Sequence, residues 1–336
     1  MNRRIEEGAW SGKALIYSLV AAFFGSLYLA NDTFVMHHLI KSEDQFTAVS
    51  VYLVLGSWVI MFSTLVYNAV LGRRLDKDYR GFSFGDKKMQ FHSILCGVVG
   101  SVSTLFCVMG NQKLDSSLVT SLSNVAILYI AFYDTATKRI SLREILFPIL
   151  LVIVGTFLVS MDGKFKVSWI GILILVLLRS STDATEKIFR QRGVRGSDSV
   201  TFNLWRSFWF TIASTVIMIS IECMRGFAGQ FFELFVVVGS SILAWIFMSL
   251  TGLCVFFCFV YVNKAIQIGA VSKVCVVTSA EIIFGIPVIL VVNYFWPGSL
   301  GEIPASVSVW ICRCVGAVVI GVGIYKINKK HGEKCS

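Results

Sequence analysis

Charge is scarce in this sequence. Only 15% of its 336 residues are Asp, Glu, Lys or Arg, against about 25% in a soluble domain. Histidine is scarcer still. His37, His38, His92 and His331 all stand outside the long apolar runs or at their edges, which argues against a serine–histidine hydrolase within a bilayer. Tyr133-Asp134 has no Gly-x-Gly-Asp partner to supply a second intramembrane carboxylate. No P-loop is present, which argues against ATP-driven pumping. The nine cysteines include no Cys-x-x-Cys pair. Cys312 and Cys314 are too close together for typical metal-ligand spacing, and most of the others lie in apolar runs as small packing residues. No disulfide framework, metal site, cofactor or catalytic residue is expected. Four prolines against 27 glycines fit packed helices rather than disordered chain.

What is abundant is apolar surface: 56% of the residues are hydrophobic and the mean hydropathy is +0.75. The expected class is an all-α membrane protein. Apolar runs fall at about 14–34, 49–71, 91–110, 116–136, 142–160, 168–186, 199–221, 239–262, 270–292 and 307–326. Each approaches the roughly 20 residues that a spanning helix needs, so ten transmembrane helices are expected. Phe231–Val238 either merges into the eighth run or lies on the membrane surface. Arg3, Arg4 and Lys13 precede Ala14–Ala30, but that run is long for a signal core and no Ala-x-Ala site follows. It reads as an uncleaved first span.

The basic residues set the orientation. With the N-terminus inside, 21 of the 30 Lys and Arg fall in inner segments and five (Lys41, Lys113, Lys164, Lys166, Arg225) in outer ones. The remaining four, Arg179, Arg206, Lys273 and Arg313, lie within spans. Both termini are therefore expected to be cytoplasmic. The net charge of +10 reflects these loops and not a nucleic-acid partner.

Ten spans divide into five plus five. The third and fourth spans meet at the polar break Asn111–Ser116, the eighth and ninth at Asn263–Gly269, about 154 residues on. An odd number of spans in each half makes the halves inverted, as in many transporters. The expected units are 1–164 and 165–336, each a five-helix membrane repeat.

Several residues mark this layout. Ala265-Ile266-Gln267-Ile268-Gly269-Ala270 resembles the short link that enters the ninth span in the EamA-type drug/metabolite transporter superfamily. Glu281 falls where that family has a glutamate, although Ile282 replaces the proline that follows it. Lys113-Leu114-Asp115-Ser116-Ser117 resembles the corresponding link in the first half, with Ile127 at the glutamate position. Lys138-Arg139-Ile140-Ser141 resembles the basic turn before the fifth span. The resemblance implies two inverted five-helix halves and a secondary transporter, and it covers nearly the whole chain in span layout. Nucleotide-sugar and phosphate-ester transporters share the architecture. They are similar in having polar residues in the seventh span, here Asn203 and Arg206, and a lysine in the ninth, here Lys273.

An ionisable group at the centre of a spanning helix costs about 2.5–3.5 kcal/mol on insertion scales, and such groups usually face a partner or a wet cavity. Lys273 and Glu281 lie eight residues apart, a little over two helical turns, and point roughly the same way. Arg179 and Asp183 can pair at i,i+4, with Glu186 and Lys187 expected in the headgroups. Arg206 follows Asn203 by three residues and offers a planar fork for carboxylate or phosphate. Asp198 or Ser197 is a plausible N-cap ahead of it. The bland alternatives are a structural pair at 179/183, snorkelling at Arg206 and Lys273, and a hydrogen-bonded Glu281. Arg313, Asp134 and Asp32 read as structural or interfacial. Trp10, Trp58, Trp169 and Trp296 read as interfacial.

The expectation is a secondary active transporter of a small anionic or zwitterionic metabolite. Arg179, Asp183, Asn203, Arg206 and Lys273 bind it, and Glu281 couples a proton or neutralises charge. A nucleotide-sugar or phosphate-ester antiporter is the alternative within the architecture. A channel, a scaffold or an intramembrane enzyme is the alternative outside it. Expected partners are the metabolite, the bilayer, and protons or a counter-transported solute, with a homodimer left open. Short loops and the lack of long polar tails point to a bacterial cytoplasmic membrane.

Overall fold

The computed structural model describes residues 12–40, 42–79, 81–111, 125–137, 141–159, 169–296 and 307–332. Thirteen α-helices make up the described chain: α1 Gly12–Phe34, α2 Gln45–Leu75, α3 Lys87–Asn111, α4 Ala126–Ala136, α5 Leu142–Val159, α6 Trp169–Leu173, α7 Ser180–Val194, α8 Ser199–Arg225, α9 Ala228–Gly239, α10 Ile242–Ile268, α11 Val271–Thr278, α12 Glu281–Phe295 and α13 Val307–Gly332. Wider π-type turns, Val35–Leu39 and Ile174–Arg179, extend α1 and join α6 to α7.

Six stretches are long and apolar enough to cross a membrane by length and composition: Gly12–Phe34, Gln45–Leu75, Lys87–Cys107, Ser199–Arg225, Ile242–Ile268 and Val271–Val292. The distribution of side chains agrees with a lipid solvent. Phe62, Val66 and Val70 on α2 and Phe147, Leu150, Val154 and Phe157 on α5 are exposed. In water such stripes would be aggregation-prone patches. The interior instead holds Ser50, Ser57, Thr64, Asn68, Thr211 and Ser214. The chain reads as an integral, multi-pass membrane protein built of helices.

Caps define where several helices begin. Asp44 starts α2 by accepting the Thr47 N–H at 2.8 Å, and Asp198 starts α8 by accepting the Thr201 N–H at 2.7 Å. Residues from elsewhere in the chain reinforce the start of α8 and cap that of α11. Asp76, after α2, accepts the N–H and hydroxyl of Ser199 on α8 at 3.0 and 2.7 Å. Asp134 of α4 accepts the N–H and hydroxyl of Ser272 on α11 at 3.1 and 2.6 Å.

The principal pairings are α1 with α10, α3 with α7 and α8, α2 with α8 and α10, α4 with α7 and α11, and α5 with α13. Where α5 meets α13 the backbones nearly touch: a Cβ on Gly155 would lie 2.7 Å from the Gly316 carbonyl oxygen. Small residues permit that approach in membrane helices. Tyr17 meets Tyr261 near the start of α1, and Phe34 meets Phe247 at its other end, so α1 and α10 are antiparallel. The start of α1, the end of α10 and the starts of α8 and α11 share one end of the molecule, called here the terminal end. The opposite end is called the far end.

Three departures from the sequence expectation are informative. The ninth run is two helices, not one. The chain tightens at Ser279–Ala280, where the Ala280 N–H bonds the Val277 carbonyl, and restarts as α12. Of the two readings of Phe231–Val238, merger into the eighth run is excluded, because the stretch belongs to a separate helix, α9. Trp58 is not interfacial: its indole donates to Thr215 of α8 at 3.1 Å. Residues 116–124 of the fourth run and the 113–117 link lie outside the described residues.

Candidate functional site

The site is organised by α7. Arg179, Asp183 and Lys187 follow one another at i,i+4 spacing, and so do Glu186 and Arg190. The spacing lays two charged rows along the helix. In the first row the Lys187 ammonium lies 2.8 Å from Asp183, and the Arg179 guanidinium lies 3.6 Å from it on the other side. Arg179 ends the π-type turn and also donates to Ser103 of α3. These three side chains retain 13–28% exposure, so they border an accessible space rather than sealed core.

The second row is sealed. One oxygen of Glu186 accepts from Arg190 at 2.5 Å and from the Nε and Nη2 of Arg206 on α8 at 2.8 Å each. Glu186, Arg190 and Arg206 are 6%, 2% and 5% exposed. The Phe259 ring of α10 lies under both guanidiniums, 4.5 Å from Arg190 and 4.1 Å from Arg206. Cation–π contact is strongest when desolvated. Gly100 of α3 makes room for the carboxylate, since a Cβ there would stand 3.3 Å from its Cδ. Glu186 therefore does not sit in the headgroups, and Arg206 does not snorkel. The reason is mutual: each charge finds its countercharge inside the protein.

Glu281 is the first residue of α12. Its carboxylate lies against α1, where a Cβ on Gly25 would come 2.8 Å from its Oε2. It makes no hydrogen bond or salt bridge with the described residues. The charges acting on it come from Lys187, Asp183 and Arg179. Asn203, one turn before Arg206, is buried, and neither its amide oxygen nor its nitrogen has a hydrogen-bond partner among the described residues. Lys273 is buried in the first turn of α11, just after the Ser272 held by Asp134.

Thus Arg179 and Asp183 come together as the spacing predicts. Arg206 joins a cluster, and Glu281 faces the α7 row. The cluster's other members, Glu186, Lys187 and Arg190, were not among the residues expected to act. Their signal is the unbroken i,i+4 pattern, which continues α7 beyond the end of the hydropathy run.

A second polar group occupies the far end of α1. Asp32 accepts from the hydroxyls of Tyr52 on α2 and of Thr251 on α10, the latter at 2.9 Å. The adjacent Asn31 amide donates to the Phe247 carbonyl and to Thr251, both at 2.7 Å. Farther along this end, Arg225 clamps Asp44 at 2.9 Å and Glu222 at 3.3 Å. Burial would raise the Asp44 carboxyl, but hydrogen bonds from Thr47 and the Arg225 charge hold it below the usual range. A cavity of about 650 Å³ opens beside this clamp, between Phe46, Leu105, Met109 and Ile221.

Comparison with known proteins places the fold. Twenty-four chains of solved structures match this one. One of them, a crystal structure of a protein, superposes with a TM-score of 0.60 over 95% of this chain and 98% of that chain at 12% identity. No protein-family model and no curated protein matches the sequence.

Proposed function

We propose that the chain is a secondary transporter of a small anionic or zwitterionic metabolite, built as ten spans in two inverted five-helix halves, 1–164 and 165–336, in the manner of EamA-type drug/metabolite transporters. The observation that carries this reading is the partly exposed Arg179–Asp183–Lys187 row, within electrostatic reach of a Glu281 that has no hydrogen-bond or ion-pair partner among the described residues, inside a helical membrane protein. Costly charges at that depth border water, and in a transporter that water is the solute chamber, between discontinuous helices of the two halves.

The chain's self-similarity supports the inverted halves. Asp44 caps Thr47 in α2, and Asp198 caps Thr201 in α8, 154 positions later. Asp32 accepts from Tyr52, and Glu186 from Arg206. These are again 154 apart, and each donor follows its acceptor by 20 residues. The helix pairing follows the same rule: first span with eighth, third with sixth; third with seventh, eighth with second; first with ninth, sixth with fourth. The excess of Lys and Arg puts the terminal end in the cytoplasm.

The residues then divide the work. Arg179 and Lys187 attract the anionic part of the solute, Asp183 holds them in place, and Glu281 takes up a proton or meets a cationic part. Arg179 and Lys187 balance Asp183 and Glu281, and the sealed row behind them (Arg190 and Arg206 against Glu186) adds one net positive charge, a field that favours an anion. The Asn203 amide beside Arg206, without a hydrogen-bond partner among the described residues, favours the second reading, a nucleotide-sugar or phosphate-ester antiporter.

The test is uptake into proteoliposomes of labelled amino acids, nucleotide sugars and nucleoside phosphates. One class should enter saturably, and Arg179→Ala should lower its kcat/KM at least tenfold, about 1.4 kcal/mol of lost stabilisation. Uptake that requires preloaded solute would select the antiporter. If no member of the panel enters above protein-free vesicles, the reading falls.

A further inference from the structure

We infer that Tyr28 and Asp32 form the route by which Glu281 exchanges protons with the far end of the molecule. The inference rests on the transport reading for its purpose, but its geometry stands separately. Gly25, Tyr28 and Asp32 occupy positions i, i+3 and i+7 of α1, one face of the helix. At about 1.5 Å of rise per residue, roughly 10 Å of helix separates Gly25 from Asp32. Glu281 sits against this face at its deep end, over Gly25. Asp32 sits at its shallow end, one turn before the π-type turn Val35–Leu39, half-buried and held by Tyr52 and Thr251. Tyr28 stands between them.

Tyr28 makes no hydrogen bond with the described residues, and both carboxylates act electrostatically on its phenol. The groups within electrostatic reach of Glu281 are Tyr28 from α1, Cys258 from α10, Arg179 from the π-type turn, and Asp183 and Lys187 from α7. Those that face Asp32 are Tyr28, Tyr52 from α2, and Thr251 and Cys254 from α10.

Among these neighbours the chemistry selects the route. A guanidinium or an ammonium has donors but no acceptor site, so it does not relay a proton. Asp183 is held between Arg179 and Lys187. The thiols of Cys258 and Cys254 donate and accept only weakly, whereas a phenol does both well. In the transfer, the protonated Asp32 gives its proton to the Tyr28 oxygen, directly or across water, as Tyr28 passes its own proton to Glu281. Asp32 ends as a carboxylate, Glu281 as a carboxylic acid, and the phenol is unchanged. Asp32 then regains a proton from the far-end solution.

The test needs no knowledge of the solute. The purified full-length protein is reconstituted in proteoliposomes with the far end outward. A pH step is applied outside, and protonation of Glu281 is followed by its infrared carboxylic-acid band, assigned by its loss in Glu281→Gln. Tyr28→Phe and Asp32→Asn should each slow the band's rise about tenfold with the same end point, whereas Asp32→Glu should keep the wild-type rate. A wild-type rate in either of the first two variants overturns the route, as does a Glu281 band that ignores the step. Slowed rates in a protein that moves no solute support the route while sinking the transport reading.

Discussion

Asp32 and Glu186 stand 154 residues apart in the chain, and the partners that hold them differ in kind. Each carboxylate is gripped by a side chain 20 residues farther on. Around Glu186 the partners are two guanidiniums lying on one phenyl ring. These are permanently charged groups, and they hold α7, α8 and α10 together with a fixed charge. Around Asp32 the partners are neutral hydroxyls, which donate to a carboxylate and can equally accept from a carboxylic acid. Glu186 is thus braced by fixed charge, whereas the neutral partners of Asp32 suit it to the proton exchange proposed above. Partner chemistry, not position, sets the difference.

The comparison breaks most readily at Glu186. Glu186→Gln leaves Arg190 and Arg206 buried without a countercharge, and should cost about 3–5 kcal/mol, read as a large fall in the thermal midpoint of the detergent-purified protein. An unchanged midpoint would mean that Glu186 braces nothing. Asp32→Asn keeps two donors facing an amide oxygen, so a smaller loss is expected, near 1 kcal/mol. Equal losses at the two sites would erase the distinction. Tyr52→Phe removes one neutral partner and should cost about 0.5–1.5 kcal/mol, a contribution that denaturant titration resolves.

The smallest effect belongs to the far-end clamp. Asp44 has a folded-state pKa below its ordinary value. Its contribution is therefore complete above the ordinary Asp range, about pH 3.9, and is lost as the pH falls through the lower folded value. Amide exchange at the start of α2 should quicken below about pH 4. Asp44→Asn should exchange faster at neutral pH and lose that acid response.

Much of the helical layout was legible because hydropathy and caps speak locally. The seventh apolar run starts at residue 199, just after the candidate cap Ser197-Asp198, and α8 begins there with Asp198 as its cap. Hydropathy misled where charge is satisfied inside the protein. The sixth run seemed to stop at residue 186, although α7 continues to Val194, because its last turns carry Glu186 and Arg190 into the interior. The same bias hid Glu186 and Arg190 from the candidate set, although their spacing was in plain view. The division of the ninth run was not legible: Ser279-Ala280 holds neither proline nor glycine, and the local mark is the pair Thr278-Ser279, whose hydroxyls both bond back to the Cys275 carbonyl. Tyr28 was equally silent, since a tyrosine in an apolar run has no local mark of what lies across from it.

That division has a mechanical consequence. α11 is a rod of eight residues, about 12 Å long, clasped at its start by Asp134 from the other half of the chain and pivoted at its end on a tightened turn of the kind that often marks a hinge. A rod held at one end and jointed at the other is a lever. A tilt of α4 that its clasp transmits would swing the joint, and Glu281 rides at the tip.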